Sequence, residues 1–163
     1  MLELLTDPDV ARARGAPPPS SEAEADEWIR AGRERGDVQW AIERNDDGCF
    51  GGFVVLQNVG RDRGAAEAGY LLLPCARGLG LATSALVAAT SWAFRERLIE
   101  RVWLVHDVDN PASCNVARRA GFPRESVAVA PRRRVDGSYI AQELHARQRG
   151  ERPSALPDDA VPS

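Results

Sequence analysis

Positions 67–83 read EAGYLLLPCARGLGLAT, and this stretch joins a predicted strand to a predicted helix through a glycine-rich turn. The strand stops at Pro74, which cannot donate to a sheet ladder, and the spacing of small and apolar residues predicts a helix over 79–97. Backbone N–H groups at the start of such a helix converge on one point and bind phosphate without a cationic side chain. Gly78 and Gly80 would let a ligand approach the main chain closely. The stretch therefore favours a phosphate-binding turn, although an ordinary strand-to-helix turn also uses glycine.

Two better-known phosphate motifs fit this turn poorly. The sequence lacks the Gly-Lys-Ser/Thr ending of an NTPase loop. The third glycine of a dinucleotide fingerprint would fall at Thr83, and two strands precede the unit where such a fold begins with the glycine-bearing strand itself. A phosphate-bearing cofactor held by one loop is what remains.

The flanking sequence predicts an α/β fold, mixed and α+β-like, with a central sheet between helices. A capping box, Ser21-x-x-Glu24, opens a helix that ends at Gly36. The predicted elements are a helix at 2–14, the capped helix, strands at 38–42, 53–56 and 65–73, the helix at 79–97, a strand at 101–105, a helix at 111–119, and strands at 125–130 and 138–145. The two strands that flank the long helix should be parallel and joined by a right-handed crossover.

Length and composition predict one soluble domain. The 163 residues divide into a domain at 1–147 and a Pro-, Arg- and Asp-rich tail at 148–163 that we expect to be disordered. A net charge of −3 argues against a nucleic-acid partner, and no apolar run reaches the roughly 18 residues of a membrane span. We expect a cytoplasmic protein. All 21 basic residues are Arg, which we interpret as the codon bias of a GC-rich bacterial genome.

Cysteine and histidine usage predicts neither a disulfide framework nor a metal site. Cys49, Cys75 and Cys114 are odd in number and widely spaced, and no base is positioned for covalent catalysis by a thiol. His106 and His145 are remote from each other in sequence, and no carboxylate spacing suggests a metal. We expect structural roles for both histidines.

Two motifs together resemble the GNAT family of N-acetyltransferases. Arg77, Gly80 and Ala82 have the Arg-x-x-Gly-x-Ala spacing of its pyrophosphate loop, and the wider string is similar to the branch that acetylates the N-termini of ribosomal proteins. Downstream, DNPASCNVARRAGF at 109–122 resembles that branch's Asn-x-x-Ser helix, which ends in Gly-Phe. The resemblance implies a GNAT-like acyl-CoA N-acyltransferase fold, with acetyl-CoA entering where two parallel strands splay apart.

The resemblance also implies roles for individual residues. Asn110 would bond the amide arm of the cofactor, and Ser113 would lie near its sulfur. Strand-like hydrogen bonds to the pantetheine arm would come from the backbone of Leu71, Leu72 and Leu73, and the loop that holds the pyrophosphate would comprise Arg77, Gly78, Leu79, Gly80, Leu81, Ala82 and Thr83.

Acetyl transfer requires an uncharged amine, a polarised thioester and a protonated leaving thiol. Family resemblance makes Glu67 the candidate base, directly or through water, and Ser113 the candidate proton donor. The alternative for Glu67 is an exposed strand carboxylate that bonds a neighbour. The alternative for Ser113 is a hydroxyl that caps a helix. Backbone N–H groups around Leu71 and Leu72 are candidate oxyanion donors. Many relatives carry a tyrosine proton donor where this chain has Ala117.

Other residues near the motifs have simpler explanations. Arg132-Arg133-Arg134 is interpreted as a solvated hairpin turn, with binding of an acidic peptide as the alternative. Trp28 and Trp40 are expected in the core, with lining of the acceptor site as the alternative. The family begins with a strand before its first helix, and we expect this strand to be missing because Met1 falls almost within that helix. The strand around Trp40 would then be an open sheet edge unless an upstream segment or another subunit covers it.

The sequence therefore predicts an N-acetyltransferase that uses acetyl-CoA and acts on a small amine or a protein N-terminus in a ternary complex. A degenerate domain that holds CoA without turnover, and an unrelated phosphate-binding interaction protein, are the alternatives. The oligomeric state stays open, with a homodimer among the candidates.

Overall fold

A computed structural model describes residues 20–44, 46–59, 64–133 and 137–151 of the chain, without the side chains of 128–131. The predicted helix at 2–14, the segment on which the expectation of a missing first strand rests, the loop at 60–63 and the tail from 152 onward lie outside these ranges. The described elements are α1 (Glu22–Glu34), β1 (Val38–Glu43), β2 (Phe50–Gln57), β3 (Ala65–Leu72), a 3₁₀ turn (Pro74–Ala76), α2 (Leu81–Glu96), β4 (Arg101–Asp107), α3 (Pro111–Arg119), β5 (Arg124–Arg133) and β6 (Tyr139–Gln148).

These strands form one mixed sheet, which confirms the predicted fold class. Its order is β1-β2-β3-β4-β6-β5, and every neighbouring pair is antiparallel except β3 and β4, which are parallel. Within the described ranges, β1 with Trp40 lies at one edge of the sheet. None of the described helices has the length and apolar character needed to cross a membrane.

Helices cover both faces of the sheet because the strands alternate in burial. On one face, α2 and α3 pack over a core that includes Leu56, Leu86 and Phe122, each fully buried. On the other face, α1 packs over a smaller cluster that includes Ala25 and Phe53. Side chains of a strand point alternately to opposite faces, so β2 contributes Val54 and Leu56 to the larger cluster and Phe53 and Val55 to the smaller one.

Several element boundaries differ from the sequence prediction, among them those of α2, β5 and β6. Helix α2 begins at Leu81 because Gly80, its N-cap, has a φ of 76°, a left-handed conformation that ends the helical run and favours glycine. Strand β5 extends through Arg133, so the interpretation of Arg132 and Arg133 as a turn is wrong. Strand β6 reaches Gln148, and the next residue, Arg149, donates its N–H to Glu100 O at 2.8 Å.

The two parallel strands separate after a short common stretch. Their register runs from Ala65 opposite Arg101 to Glu67 opposite Trp103 and then ends, although β3 continues to Leu72 and β4 to Asp107. The predicted splay between these strands is therefore confirmed. Past Glu67, β3 pairs with β2 on one side and borders an opening on the other.

Candidate active site

Two cavities meet where β3 and β4 diverge. The first has a volume of about 550 Å³ and extends toward the start of α2, and the second has a volume of about 520 Å³ and extends toward α1. Both are lined by Tyr70, Leu71, Asp107, Asn110 and Ser113. A ligand that fills the first cavity can therefore present one end to a molecule in the second.

The start of α2 offers unused N–H groups to the first cavity. No side chain of the described part of the chain caps this helix, and its first backbone bond runs from Ser84 N to Gly80 O at 3.1 Å. The N–H groups of Leu81, Ala82 and Thr83 therefore precede the intrahelical bonds. Gly78 has the same φ of 76° as Gly80, and a Cβ at either glycine would meet nothing within 4 Å. The turn therefore leaves open space in front of the positive N-terminal end of α2, as phosphate binding requires.

The first cavity brings together most of the predicted cofactor residues. Leu73 and Leu79 are not among them, because Leu73 is buried and donates its N–H to Gly51 O at 2.8 Å, whereas Leu79 is 57% exposed. Arg77 donates from Nε to Leu72 O at 3.3 Å, which ties the loop to the end of β3. The predicted residues that line this cavity are Leu71, Leu72, Arg77, Gly78, Gly80, Leu81, Ala82, Thr83, Asn110 and Ser113.

Helix α3 positions Asn110 and Ser113 at the junction of the cavities. The helix begins with Pro111, which suits the first helical position, and Asn110 caps it by accepting a hydrogen bond from Ser113 N at 3.1 Å. The capping function thus falls to Asn110 Oδ1, so the side-chain amide of Asn110 and the Ser113 hydroxyl are not needed for the cap.

The second cavity joins Glu67 to an aromatic wall. Glu67 lies on β3 and lines this cavity with Ser113, so the two predicted catalytic residues do share a site. Burial raises the pKa of the Glu67 carboxyl above its ordinary value, because a carboxylate loses hydration there. Trp28 of α1 also lines this cavity and packs on Phe53 with ring centroids 5.8 Å apart. Trp40, by contrast, packs edge-on against Trp92 in the core.

An ion pair closes the side of the second cavity formed by β4 and β5. Arg132 donates from Nε to Asp107 Oδ1 at 3.1 Å and from Nη2 to Oδ2, and Gln142 donates to Oδ1 at 3.3 Å. The Asp107 carboxylate raises the pKa of Arg132 above its ordinary value. Only 18% of the Arg132 side chain and 15% of the Asp107 side chain are exposed. Arg132 is therefore part of the site wall and not a solvated turn residue.

Tyr70 is a functional candidate that the sequence analysis did not single out. Its hydroxyl is buried without a hydrogen-bond partner among the described residues, and it lines both cavities beside Ser113. Burial raises the pKa of this hydroxyl, an effect that the neighbouring Ser113 partly offsets. Tyr70 lies within the stretch at 67–83, but only the position of α3 shows that its ring reaches Ser113. Ala117, where relatives carry tyrosine, is fully buried.

Comparison with known proteins identifies a family. A family model described as an acetyltransferase (GNAT) domain matches residues 1–123. An uncharacterized N-acetyltransferase of Bacillus subtilis, YoaA, is 27% identical over 95 residues, which make up 58% of this chain and 54% of YoaA. The chain thus spans about half the length of this curated relative.

Solved structures agree in fold. Spermidine N-acetyltransferase from Vibrio cholerae, crystallised with CoA and spermine, superposes with a TM-score of 0.78 and 18% identity over 91% of this chain and 87% of that one. A GNAT-family acetyltransferase from Bacillus anthracis superposes with a TM-score of 0.77 and 17% identity over 93% and 88%. The resemblance to the ribosomal-protein branch is not reproduced among these neighbours.

Proposed function

This chain belongs to the acetyltransferase (GNAT) domain family, and we propose from that premise that it transfers an acetyl group from acetyl-CoA to a primary amine by direct attack. The observation that carries the proposal is the meeting of two cavities at Tyr70, Asn110 and Ser113. One cavity ends at the N–H groups of the first turn of α2 and the other at the half-buried Glu67 carboxylate. A donor and an acceptor can therefore be bound together, as a ternary complex requires.

In this proposal acetyl-CoA lies in the first cavity. Its pyrophosphate binds the N–H groups of Leu81, Ala82 and Thr83 at the positive end of α2. Its pantetheine arm lies along β3 in the splay, where the backbone of Leu72 borders the opening. The unused amide N–H₂ of Asn110 donates to a carbonyl of that arm. The thioester then lies at the junction, with its acetyl group toward the second cavity.

The chain's own residues supply the proton transfers. Glu67 accepts a proton from the acceptor ammonium, and the amine nitrogen then forms a bond to the thioester carbon. Backbone N–H groups on the open side of β3, such as that of Leu72, stabilise the oxyanion. When the C–S bond breaks, the Ser113 or Tyr70 hydroxyl donates its proton to the departing thiolate and takes up the remaining excess proton of the attacking nitrogen, so the hydroxyl is regenerated. The products are the acetylated amine and CoA.

The second cavity favours an acceptor with one positive charge and an apolar body. Trp28, Phe53 and Val55 form an apolar wall, and of the two carboxylates that line this cavity, Asp107 is already bound to Arg132. A polyamine carries several separated ammonium groups, each of which would need its own partner. We therefore infer that a monoamine or a protein N-terminus is preferred over spermidine.

A CoA-binding module without turnover is the second candidate. It is favoured by the buried Ala117, which places no proton donor where relatives have tyrosine. Release of free thiol in the presence of an amine separates the two, because a module that only binds CoA releases none.

The first experiment is a calorimetric titration of the chain with acetyl-CoA, using Gly80→Glu as the blocked variant. Gly48→Glu is the matched control, because Gly48 has a φ of 68° and, like Gly80, open space around it. We expect saturable binding by the wild type and the control and none by Gly80→Glu. Thiol release is then measured with an aryl-alkyl monoamine, a short peptide and spermidine. Failure of the folded wild type to bind acetyl-CoA contradicts the proposal.

A further inference from the structure

Both histidines of the chain lie in one cluster beneath α3 and have no role in the proposed reaction, although His106 also lines the second cavity. His106 on β4 faces Glu143 on β6, and His145 lies two residues further along β6, opposite Leu104. Residues directly opposite in a sheet share a face, and Cys114 of α3 covers this face. One ligand atom from each of His106, Cys114, Glu143 and His145 lies within 4.8 Å of each of the others.

Hydrogen bonds fix the state of each imidazole. His106 Nδ1 lies 2.9 Å from Asp107 O, and His145 Nδ1 lies 3.0 Å from Phe122 O. A carbonyl oxygen only accepts, so each Nδ1 must carry the hydrogen. In the neutral ring Nε2 then bears a lone pair, and neither Nε2 has a hydrogen-bond partner among the described residues although both are buried. A backbone bond to Nδ1 is the usual support of a metal-binding histidine.

Three electron-rich atoms therefore point at one another. Glu143 Oε2 lies 3.7 Å from His106 Nε2 and 3.7 Å from His145 Nε2, while its other oxygen accepts from Arg124 at 3.2 Å. The exposed fractions of the His106, His145 and Glu143 side chains are 4%, 0% and 13%. Lone pairs and a carboxylate oxygen repel each other in such a volume unless a cation lies between them.

A single proton would not remove the repulsion among these three atoms. It could join only one nitrogen to the carboxylate and would leave the other Nε2 unsatisfied. A divalent ion would satisfy all the converging atoms at once.

We propose that His106, Cys114, Glu143 and His145 bind a zinc ion. Two imidazoles, a thiolate and a carboxylate form a four-atom donor set of the kind Zn²⁺ takes in tetrahedral geometry. One thiolate and one carboxylate balance the charge of the ion, so the buried centre is neutral. Binding displaces the thiol proton of Cys114 to solvent as the Zn–S bond forms.

The spacing of the cluster suits this ion after a small adjustment. Zinc bonds of about 2.0–2.3 Å at tetrahedral angles place ligand atoms roughly 3.3–3.8 Å apart. The two nitrogen–oxygen distances of 3.7 Å already fall in that range. The widest separation in the cluster, at most 4.8 Å, needs to shorten by about 1 Å. The ion would tie α3, which carries Asn110 and Ser113, to β4 and β6.

The test uses the full chain with no affinity tag, because the two native histidines are then the only ones present. The protein is stripped with a chelator, and zinc is titrated in competition with a chromogenic chelator. We expect one zinc ion per chain. Cys114→Ala and His145→Gln should each lower the zinc affinity at least about 100-fold, which is more than the loss from removing a residue that only supports a ligand. Cobalt in place of zinc should give a thiolate charge-transfer band that Cys114→Ala removes.

Cys49→Ser is the matched control, since Cys49 is exposed and lies on the β1–β2 turn. It should leave the zinc affinity and the cobalt spectrum unchanged. Circular dichroism verifies that each variant is folded. If His145→Gln does not fold, Cys114→Ala provides the test alone, because Cys114 lies at the rim of the cluster. No zinc binding by the folded wild type overturns the proposal. Binding that survives unchanged in both ligand variants overturns it equally, because the ion is then adventitious.

Discussion

Asn110 Oδ1 accepts a hydrogen bond from Ser113 N at 3.1 Å, and both residues line both cavities. One side chain thus caps helix α3 with its oxygen and offers its N–H₂ group to a ligand. The two functions can be separated by chemistry, because aspartate keeps the accepting oxygen and lacks the donor.

Asn110→Asp is expected to keep the thermal stability and to weaken acetyl-CoA binding. Asn110→Ala should lose both, with a cost of about 1 kcal/mol in the free energy of unfolding from the missing cap. Denaturation curves and calorimetric titrations of the two variants make the comparison. Unchanged acetyl-CoA affinity in Asn110→Asp would contradict the assignment of the amide to the cofactor.

Glu67→Gln is expected to lower kcat/KM by about 10²–10⁴-fold, the usual contribution of a general base. In the wild type, activity should fall as the pH is lowered through the raised pKa of Glu67, because the protonated carboxyl cannot accept a proton. This acid limb should be absent from the variant's pH–rate profile. Glu100→Gln, at an exposed carboxylate, is the control and should retain the wild-type profile.

Glu67→Gln is expected to change stability in the direction opposite to its effect on activity. A carboxyl whose pKa is raised in the folded state contributes stability at acid pH, and that contribution is lost as the pH rises through the folded pKa. At neutral pH, Glu67→Gln should therefore keep or raise the melting temperature while it lowers activity. A fall in both would indicate a structural role instead.

Tyr70→Phe is expected to leave stability unchanged or slightly improved, because it removes a buried hydroxyl that has no partner among the described residues. If this hydroxyl protonates the leaving thiolate, kcat should fall while the Kd for acetyl-CoA stays the same. Ser113→Ala and the double variant show whether the two hydroxyls substitute for each other. Wild-type kcat in Tyr70→Phe and in the double variant would exclude the tyrosine as proton donor.

Arg132→Ala is expected to destabilise the chain by about 2 kcal/mol, because it leaves the mostly buried Asp107 carboxylate without its guanidinium partner. Adding Asp107→Asn should recover part of the loss, since the uncompensated charge is then gone. Urea denaturation at neutral pH measures both. Arg149→Ala, which breaks the exposed pair with Glu100, is the control and should cost less than about 1 kcal/mol. An equal cost at Arg132 and Arg149 would contradict the role assigned to the Arg132–Asp107 pair.

Local chemistry explains what could be predicted from the sequence. Helix α3 runs from Pro111 to Arg119 as predicted, because proline and Gly121 determine its two ends locally. The turn before α2 was predictable for the same reason, since its backbone follows from its glycines. The splay of β3 and β4 came from family resemblance and not from any residue pattern.

Long-range register explains what could not be predicted. Arg132 follows Asp107 by 25 positions, and a run of three arginines favours a solvated turn until β5 is seen to carry the first into the site wall. The pairing of β4 with β6 likewise places Glu143 opposite His106. No spacing within either strand shows that the two histidine rings stack 5.1 Å apart.

The early end of the β3–β4 ladder gives the sheet an edge in its interior. Among the described residues, no strand lies beside the backbone groups of β3 beyond Glu67 on the β4 side, and such groups pair readily with any extended chain. A cofactor that lies along them would shield the molecule from its own copies as well as react with an acceptor. Expression yield and resistance to aggregation should therefore follow the supply of acetyl-CoA in the cell, because a ligand bound there would stabilise the fold by mass action and cover these backbone groups.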